Sequence, residues 1–566
     1  MTACIGFVMM CHTAPQRAIQ VVRHWVGQGA PVVIHVDAAA DKVDQTLRAG
    51  LADLGDRVSF IARHRSTWGS WGLVAAAQEG AAQMLARHPE VTHVFLASGA
   101  CLPLRPLAEL AAYLDAHPDT DFIESVVTSE AAWAKGGLED ERFTLFFPFS
   151  WRHNRRLFDH YVALQRRIGL RRRIPDGLNP HLGSQWSCLT RETLRRVLDD
   201  PRRAEFERYF KGVWIPDESY FQTLARRHAR RIESRSLTLN KFDMSGLPHI
   251  FYDDHLELLR RSELFVVRKV WPHAERLYQT FLTTPTHTDQ PVRRVAPDSG
   301  RIDRIFNQSV ERRKFGRAGL YMQSRFPRKG FEARSSAYPY VVFQGFSDVF
   351  PDLKGWLARR HIGRVHGHLF DREQVDFAGE VPIFDGAIPA HPELRDYNPR
   401  AFLTSLIWNG RGERQVILAS ARDRMPSDLY WFMVADPNAT IHLITGAWAV
   451  PLYLSGKPVA SIWREAARLQ RIQTQQMKII DTIWRRARVQ VWTLSDFMQN
   501  PSQRLQGLVR DLQPGDALSM GPPLGAHDLT GFGRFLQQLR NQGLRPELMG
   551  DFDDAEILPD PAPPSA

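Results

Sequence analysis

In the first hundred residues, short apolar and β-branched runs alternate with stretches whose apolar residues recur at helical spacing. Apolar runs too short for helices, each followed by an amphipathic segment, predict strands joined by crossover helices, and hence an α/β domain with a mainly parallel sheet. Residues 4–10, 31–36, 58–61 and 91–97 read as strands, and 14–28 and 73–87 as helices. Such sheets bind ligands beyond the carboxyl ends of their strands. That rule directs attention to Asp37, Trp68 and Ser98, each of which follows one of these runs.

A chain of 566 residues exceeds what one hydrophobic core can organise. The pattern predicts a first domain over 1–282, a linker over 283–339 and a second α/β domain over 340–550. An acidic, Pro-rich tail over 551–566 reads as disordered. In the second domain, 340–343, 415–419, 440–444 and 489–492 read as strands and 461–486 as helical. Its first strand runs into Gln344-Gly345-Phe346-Ser347-Asp348, a loop that could approach phosphate but lacks the GxxxxGK[ST] pattern. The role expected of this domain is structural or partner-binding, with a second transferase-like activity as the alternative.

Residues 286–337 hold 12 Lys/Arg against 5 Asp/Glu, so they carry +7 of the net +11. Charge confined to a linker suits peripheral contact with an anionic membrane or an acidic polysaccharide better than specific reading of nucleic acid. No run approaches the ~18–20 apolar residues of a membrane span, and no basic region precedes the apolar start as in a signal peptide. Cys4, Cys11, Cys101 and Cys188 are scattered without CxxC spacing, as reduced thiols are. A cytoplasmic protein is the expectation.

The strings GSQWSCLTRETL from Gly183 and WIPDESYFQTL from Trp214 are the most distinctive in the chain. Gly183-Ser184 can bring backbone close to a ligand. Trp186 offers either a flat face for a sugar ring or a filler for the core beneath a turn. Pro216 can open a helix, with Asp217 and Glu218 in its first turn. A partly desolvated carboxylate there could deprotonate an acceptor hydroxyl, and Glu218 is the candidate. A departing diphosphate would need a metal on an Asp-x-Asp pair or basic side chains. Asp119-Thr120-Asp121 is such a pair, but its place before an expected strand at 122–124 suits a solvated turn. Arg268-Lys269, after the apolar 264–267, is the better charge partner, with a surface pair as the alternative.

Taken in order, IHVD from Ile34, STWGSWGLV from Ser66, ASGACLPL from Ala97, GSQWSCLTR from Gly183, PDESYFQT from Pro216 and VVRK from Val266 resemble the core-2/I-branching glycosyltransferase family. That family includes β-1,6-N-acetylglucosaminyltransferases and peptide O-xylosyltransferases, and the resemblance covers about residues 1–280. It implies an A-type, Rossmann-like glycosyltransferase fold, inversion at the anomeric carbon, a UDP-sugar donor, and neither a cofactor nor an essential metal. It places the catalytic base at Glu218, a diphosphate-holding cation at Lys269 and an acceptor-side acid at Glu124. His35, Asp37, Trp68, Gly69, Ser98, Gly183 and Ser184 fall on the donor side, and Trp186 and Asp217 on the acceptor side.

The family's Ser-Gly-x-Asp loop reads Ser98-Gly99-Ala100-Cys101 here, so a carboxylate is replaced by a thiol. A second diphosphate cation has no direct counterpart, and Lys241 or Arg235 could substitute. The expected reaction is transfer of xylose or N-acetylglucosamine from a UDP-sugar to a hydroxyl of a glycan or peptide. The alternative is a catalytically inactive nucleotide-sugar-binding protein with a C-terminal interaction domain.

Overall fold

The computed structural model describes residues 3–128, 141–151, 153–240, 248–283, 330, 332–380, 390–512 and 522–544. The chain divides into two compact units, Met1–Arg313 and Lys314–Ala566.

The strands of the first unit are β1 (Ile5–Cys11), β2 (Val32–Val36), β3 (Val58–Phe60), β4 (His93–Ser98), β5 (Leu102–Pro103), β6 (Thr120–Phe122), β7 (Val126–Val127), β8 (His181–Leu182), β9 (Cys188–Thr190), β10 (Arg231–Glu233), β11 (Thr238–Leu239) and β12 (Val266–Val267). The main sheet has the order β10-β6-β9-β4-β1-β2-β3. Every residue of β1 is buried, as a central strand covered on both faces requires. On one face the helix Pro15–Gly27 stacks Trp25 on Phe7 with ring centroids 3.8 Å apart. The Ala-rich helix Trp71–Arg87 buries Val74, Ala77, Ala81 and Met84.

All pairings in this sheet are parallel except those of β9, which runs against β4 and β6 with Cys188 opposite both Phe95 and Phe122. The sequence pattern missed β9 because its three residues lie inside a motif rich in polar and turn-forming types. β11, β12 and β5 form a separate small sheet in the order β11-β12-β5.

Two expectations are corrected. The strand expected at 122–124 begins at Thr120, so Asp121 is not in a solvated turn. It is fully buried and accepts hydrogen bonds from the Thr190 N–H (2.7 Å) and the Thr193 hydroxyl (2.6 Å). The second domain also starts earlier than 340. Ser336 donates its N–H to Asp436 (2.9 Å), and Glu332 accepts from Asn398 (3.0 Å), both within the second unit. Most of the expected linker, the 551–566 tail and Lys241 lie outside the described residues.

The second unit contains β13 (Tyr340–Gln344), β14 (Arg364–His368), β15 (Gln415–Ala419), β16 (Ala439–Thr445) and β17 (Arg488–Thr493). They form a wholly parallel sheet in the order β14-β15-β13-β16-β17. β14, read RVHGH, escaped sequence reading because two histidines and a glycine hide its apolar pattern. His366 is nonetheless fully buried, with its Nε2 2.9 Å from the Gln415 side-chain oxygen. The helix expected at 461–486 spans Val459–Ile480. No described helix is long and apolar enough to cross a membrane, and all four cysteines are free thiols.

Candidate active site

The antiparallel course of β9 builds the site. Its amino end lies beside the carboxyl end of β4, where Leu96 donates its N–H to the Ser187 carbonyl (2.9 Å). Residues 183–187 therefore reach the same rim as the Ser98 loop. There Gly183 donates its N–H to the Glu218 carbonyl (2.9 Å), and Ser184 donates its own to the Glu124 carboxylate (3.1 Å). A side chain at Gly183 cannot be accommodated, because its Cβ would lie 1.7 Å from the Glu124 carbonyl oxygen. Gln222 locks the arrangement by donating to the carbonyls of Ser184 (2.8 Å) and Asp217 (3.3 Å).

Pro216–Glu218 forms a short 3-10 turn ahead of the helix Tyr220–His228, so the expected helix start is a tighter turn. Ile215, which enters it, has φ 53° and ψ 65°. A β-branched residue held in the left-handed region marks local strain of the kind that clusters at functional sites. Gly69 lies directly against Ile215, which brings the Trp68-Gly69 loop to the carboxylates.

Glu124, Asp217 and Glu218 form one acidic cluster, and their environments separate them. Asp217 is buried, and its Oδ1 has no hydrogen-bond partner. Burial, reinforced by the neighbouring Glu218 charge, pushes its carboxyl up to about 7. Glu124 is raised by burial and by Glu218, against the Ser184 N–H that lowers it. Glu218 is also raised by burial, but the Arg142 guanidinium opposes that rise from 3.2 Å. A third of the Glu218 side chain remains open, whereas Arg142 is buried with its guanidinium over the Trp214 ring at 5.2 Å. Sequence reasoning missed Arg142. It stands alone in an unremarkable segment, and only the fold brings it to Glu218.

Donor-side candidates gather at the carboxyl ends of β2 and β4 in differing ways. His35 is 1% exposed, and its Nε2 accepts the His64 N–H (3.0 Å). Burial first, then His64, lowers its pKa to about 4, so it is a neutral internal strut. The Asp37 carboxylate accepts from the Ala39 (2.7 Å) and Ser66 (2.9 Å) N–H groups and so ties the β2 end to the STWG loop. Ser98 is buried and donates its N–H to the Cys101 sulfur (3.2 Å). Lys269 is half-buried in a segment stitched to that loop, since Val270 donates to the Ala100 carbonyl (3.0 Å).

Trp186 is 6% exposed, with the Arg268 guanidinium 3.9 Å over its ring, so its core-filling alternative holds. The open aromatic surface is supplied by Trp68, 44% exposed, and Trp151, whose ring centroid lies 6.1 Å away. Arg235 pairs with Glu233 at 2.7 Å and bonds the Tyr113 hydroxyl, so it belongs to the sheet edge. Asp119 pairs with Arg230 at 3.5 Å on the exposed side, so it and buried Asp121 do not converge on one point.

Residues 5–257 match the Core-2/I-Branching enzyme family, and residues 268–565 match a family of unknown function, DUF5927. No curated protein matches the chain. The chain belongs to the DUF5927 family through its C-terminal half, and its N-terminal half is a domain of the Core-2/I-Branching glycosyltransferase family with an A-type-like α/β fold.

Proposed function

We propose that the first unit transfers a sugar from a UDP-sugar to an acceptor hydroxyl with inversion, without an essential metal, and with Glu218 as the general base. The observation that carries this reading is the sorting of the three clustered carboxyls. Asp217 is buried, with its carboxyl pushed up to about 7, so a large share of it keeps its proton near neutrality. Glu124 is tied to the Ser184 backbone. Glu218 is both open and steadied in its ionised form by Arg142. An acceptor hydroxyl is too weak an acid to attack unaided, and a carboxylate with a raised pKa can take its proton as the new glycosidic bond forms.

The acceptor oxygen bonds to the anomeric carbon on the face opposite the departing diphosphate. Lys269, beside the Ala100 loop, supplies charge to that leaving group, so positioning and fixed charge carry the rate. Independence from metal is supported by the divergence of Asp119 and Asp121. Trp68 and Trp151, in place of Trp186, offer the faces on which an acceptor sugar stacks. Xylose and N-acetylglucosamine are the donors to try first.

The test is UDP release by purified protein with a panel of UDP-sugars in excess EDTA, wild type against Glu218→Gln. Turnover of one donor that depends on Glu218 supports the reading. Equal turnover by both proteins removes Glu218 as base, and turnover only after metal is restored removes metal independence. UDP-sugar binding without turnover across an acceptor screen would favour the inactive binding protein, for which the thiol at Cys101 is the motivating feature.

A further inference from the structure

We propose that Ser347, His368 and Asp423 in the second unit form a separate catalytic site, a serine nucleophile with its general base and orienting carboxylate, which cleaves short acyl esters of polar alcohols. His368 ends β14, and Ser347 and Asp423 follow the carboxyl ends of β13 and β15, the three strands being neighbours in the parallel sheet. The Ser347 Oγ lies 2.9 Å from the His368 Nε2. The His368 Nδ1 lies 3.0 and 3.1 Å from the two Asp423 oxygens. A nucleophile, a base within hydrogen-bond reach and a third group orienting that base are the geometric marks of such a site, whatever the order in the chain.

The supports are equally specific. Ser347 sits on a sharp strand-to-helix turn made by Gly345, with φ 82°. A Cβ at Gly345 would lie 2.8 Å from the Ala447 Cβ and 2.9 Å from the Ile444 carbonyl oxygen. Strand–turn–helix elbows of this kind present a serine hydroxyl at the top of a parallel sheet. The following residue, Asp348, is fully enclosed and accepts from the Ser420 hydroxyl (2.9 Å) and Arg422 (2.6 Å), which fixes the turn. Asp423, 4% exposed at its side chain, also accepts the Ser420 N–H (2.9 Å). Burial would lower the His368 pKa, but the Asp423 hydrogen bond and charge, with Asp348, raise it overall.

Access and substrate class follow from the surroundings. His368 keeps a quarter of its side chain open. Asp423 forms part of the wall of a cleft of about 600 Å³ that Arg372, Asp396, Arg424, Met425 and Arg468 also line. Three arginines and three aspartates line it together with Pro399, Met425, Pro426 and Ile472, so a cleft next to the triad offers hydrogen-bond partners to a hydroxyl-bearing alcohol.

In the first step the Ser347 Oγ bonds to the ester carbonyl carbon while its proton passes to the His368 Nε2. The ester C–O bond then breaks, and His368 returns the proton to the leaving alcohol. Water next attacks the acyl-serine and gives a proton to His368. The bond between the acyl carbon and Oγ breaks, Oγ regains the proton, and a carboxylic acid leaves. The sum is ester plus water giving acid plus alcohol.

The test treats the full chain with a fluorophosphonate, whose phosphorus Ser347 would capture with loss of fluoride, and maps the adduct by peptide mass. The expected result is one adduct per chain on Ser347, none there in Ser347→Ala, and a labelling rate at least about 100-fold lower in His368→Asn. Steady release of p-nitrophenol from p-nitrophenyl acetate should vanish in Ser347→Ala. A folded wild-type protein, verified by circular dichroism, whose Ser347 stays unmodified would overturn the proposal. So would equal labelling of wild type and His368→Asn.

Discussion

Both units place polar groups beyond the carboxyl ends of a mostly parallel sheet, yet they treat those groups in opposite ways. In the first unit, three carboxyls crowd together with their pKa values raised by burial, and Asp217 keeps an unpartnered oxygen. In the second, Ser347, His368, Asp423, Ser420, Asp348 and Arg422 form a chain of matched donors and acceptors. A raised carboxyl suits the removal of a proton from a weak acid, whereas a matched relay suits activation of the protein's own hydroxyl. On the two proposals, one sheet architecture would support two chemistries, with the loops deciding which.

Four measurements would break or sharpen this contrast. The largest effect is expected from Glu218→Gln, which should lower sugar transfer by roughly 10³-fold while UDP binding persists. It should leave the Ser347 adduct unchanged, and loss of both would mean that the units do not act as separate sites. Gly183→Ala comes next. A Cβ 1.7 Å from a carbonyl oxygen forces backbone to move, at a cost of about 3 kcal/mol or more. A melting temperature lower by roughly 6–12 °C is the expected reading, and an unchanged melt would show that the Ser184 loop is not rigid.

Arg142→Met should move the acid limb of the pH–rate profile to higher pH. Arg142 holds the Glu218 pKa below what burial alone would give, so its loss lets Glu218 keep its proton to higher pH. An unmoved acid limb would detach Arg142 from the base. The smallest effect concerns stability. The folded Asp217 keeps its proton up to about 7, while the unfolded chain releases it near 3.8. Between those values the folded state binds more protons, so stability is full at the acid end and falls as pH rises. Asp217→Asn should flatten that decline by about 5–10 °C between pH 5 and 8 in thermal melts. A slope that survives the substitution would assign the decline to another group.

Much of the first unit was legible in the sequence, because β1, β2 and β4 are apolar runs with helical segments between them. Glu218, Gly183 and Ser184 stood out as motifs, and the fold brings them together. Trp186 was ambiguous, since a tryptophan that fills a core and one that receives a sugar have the same letter. Arg142 was invisible, because its meaning depends on a carboxylate far along the chain. His368 was hidden in a strand whose histidines and glycine mask its period. Gly345 and Ser347 were visible as a strand running into a Gly/Ser loop, but the histidine and aspartate that meet Ser347 come from distant segments and only the fold shows them.

The backward strand β9 carries a consequence for assembly at the ribosome. β1, β2 and β3 pair with near neighbours in the chain and can zip up as they emerge. β4 must hold one edge open until Cys188 arrives opposite Phe95, and the acidic cluster waits further still, for Glu218. Contacts between such distant segments form late and slowly. The acidic cluster of a nascent first unit is therefore incomplete until most of that unit has been synthesised, and its unfilled edge is the surface that a chaperone would need to cover.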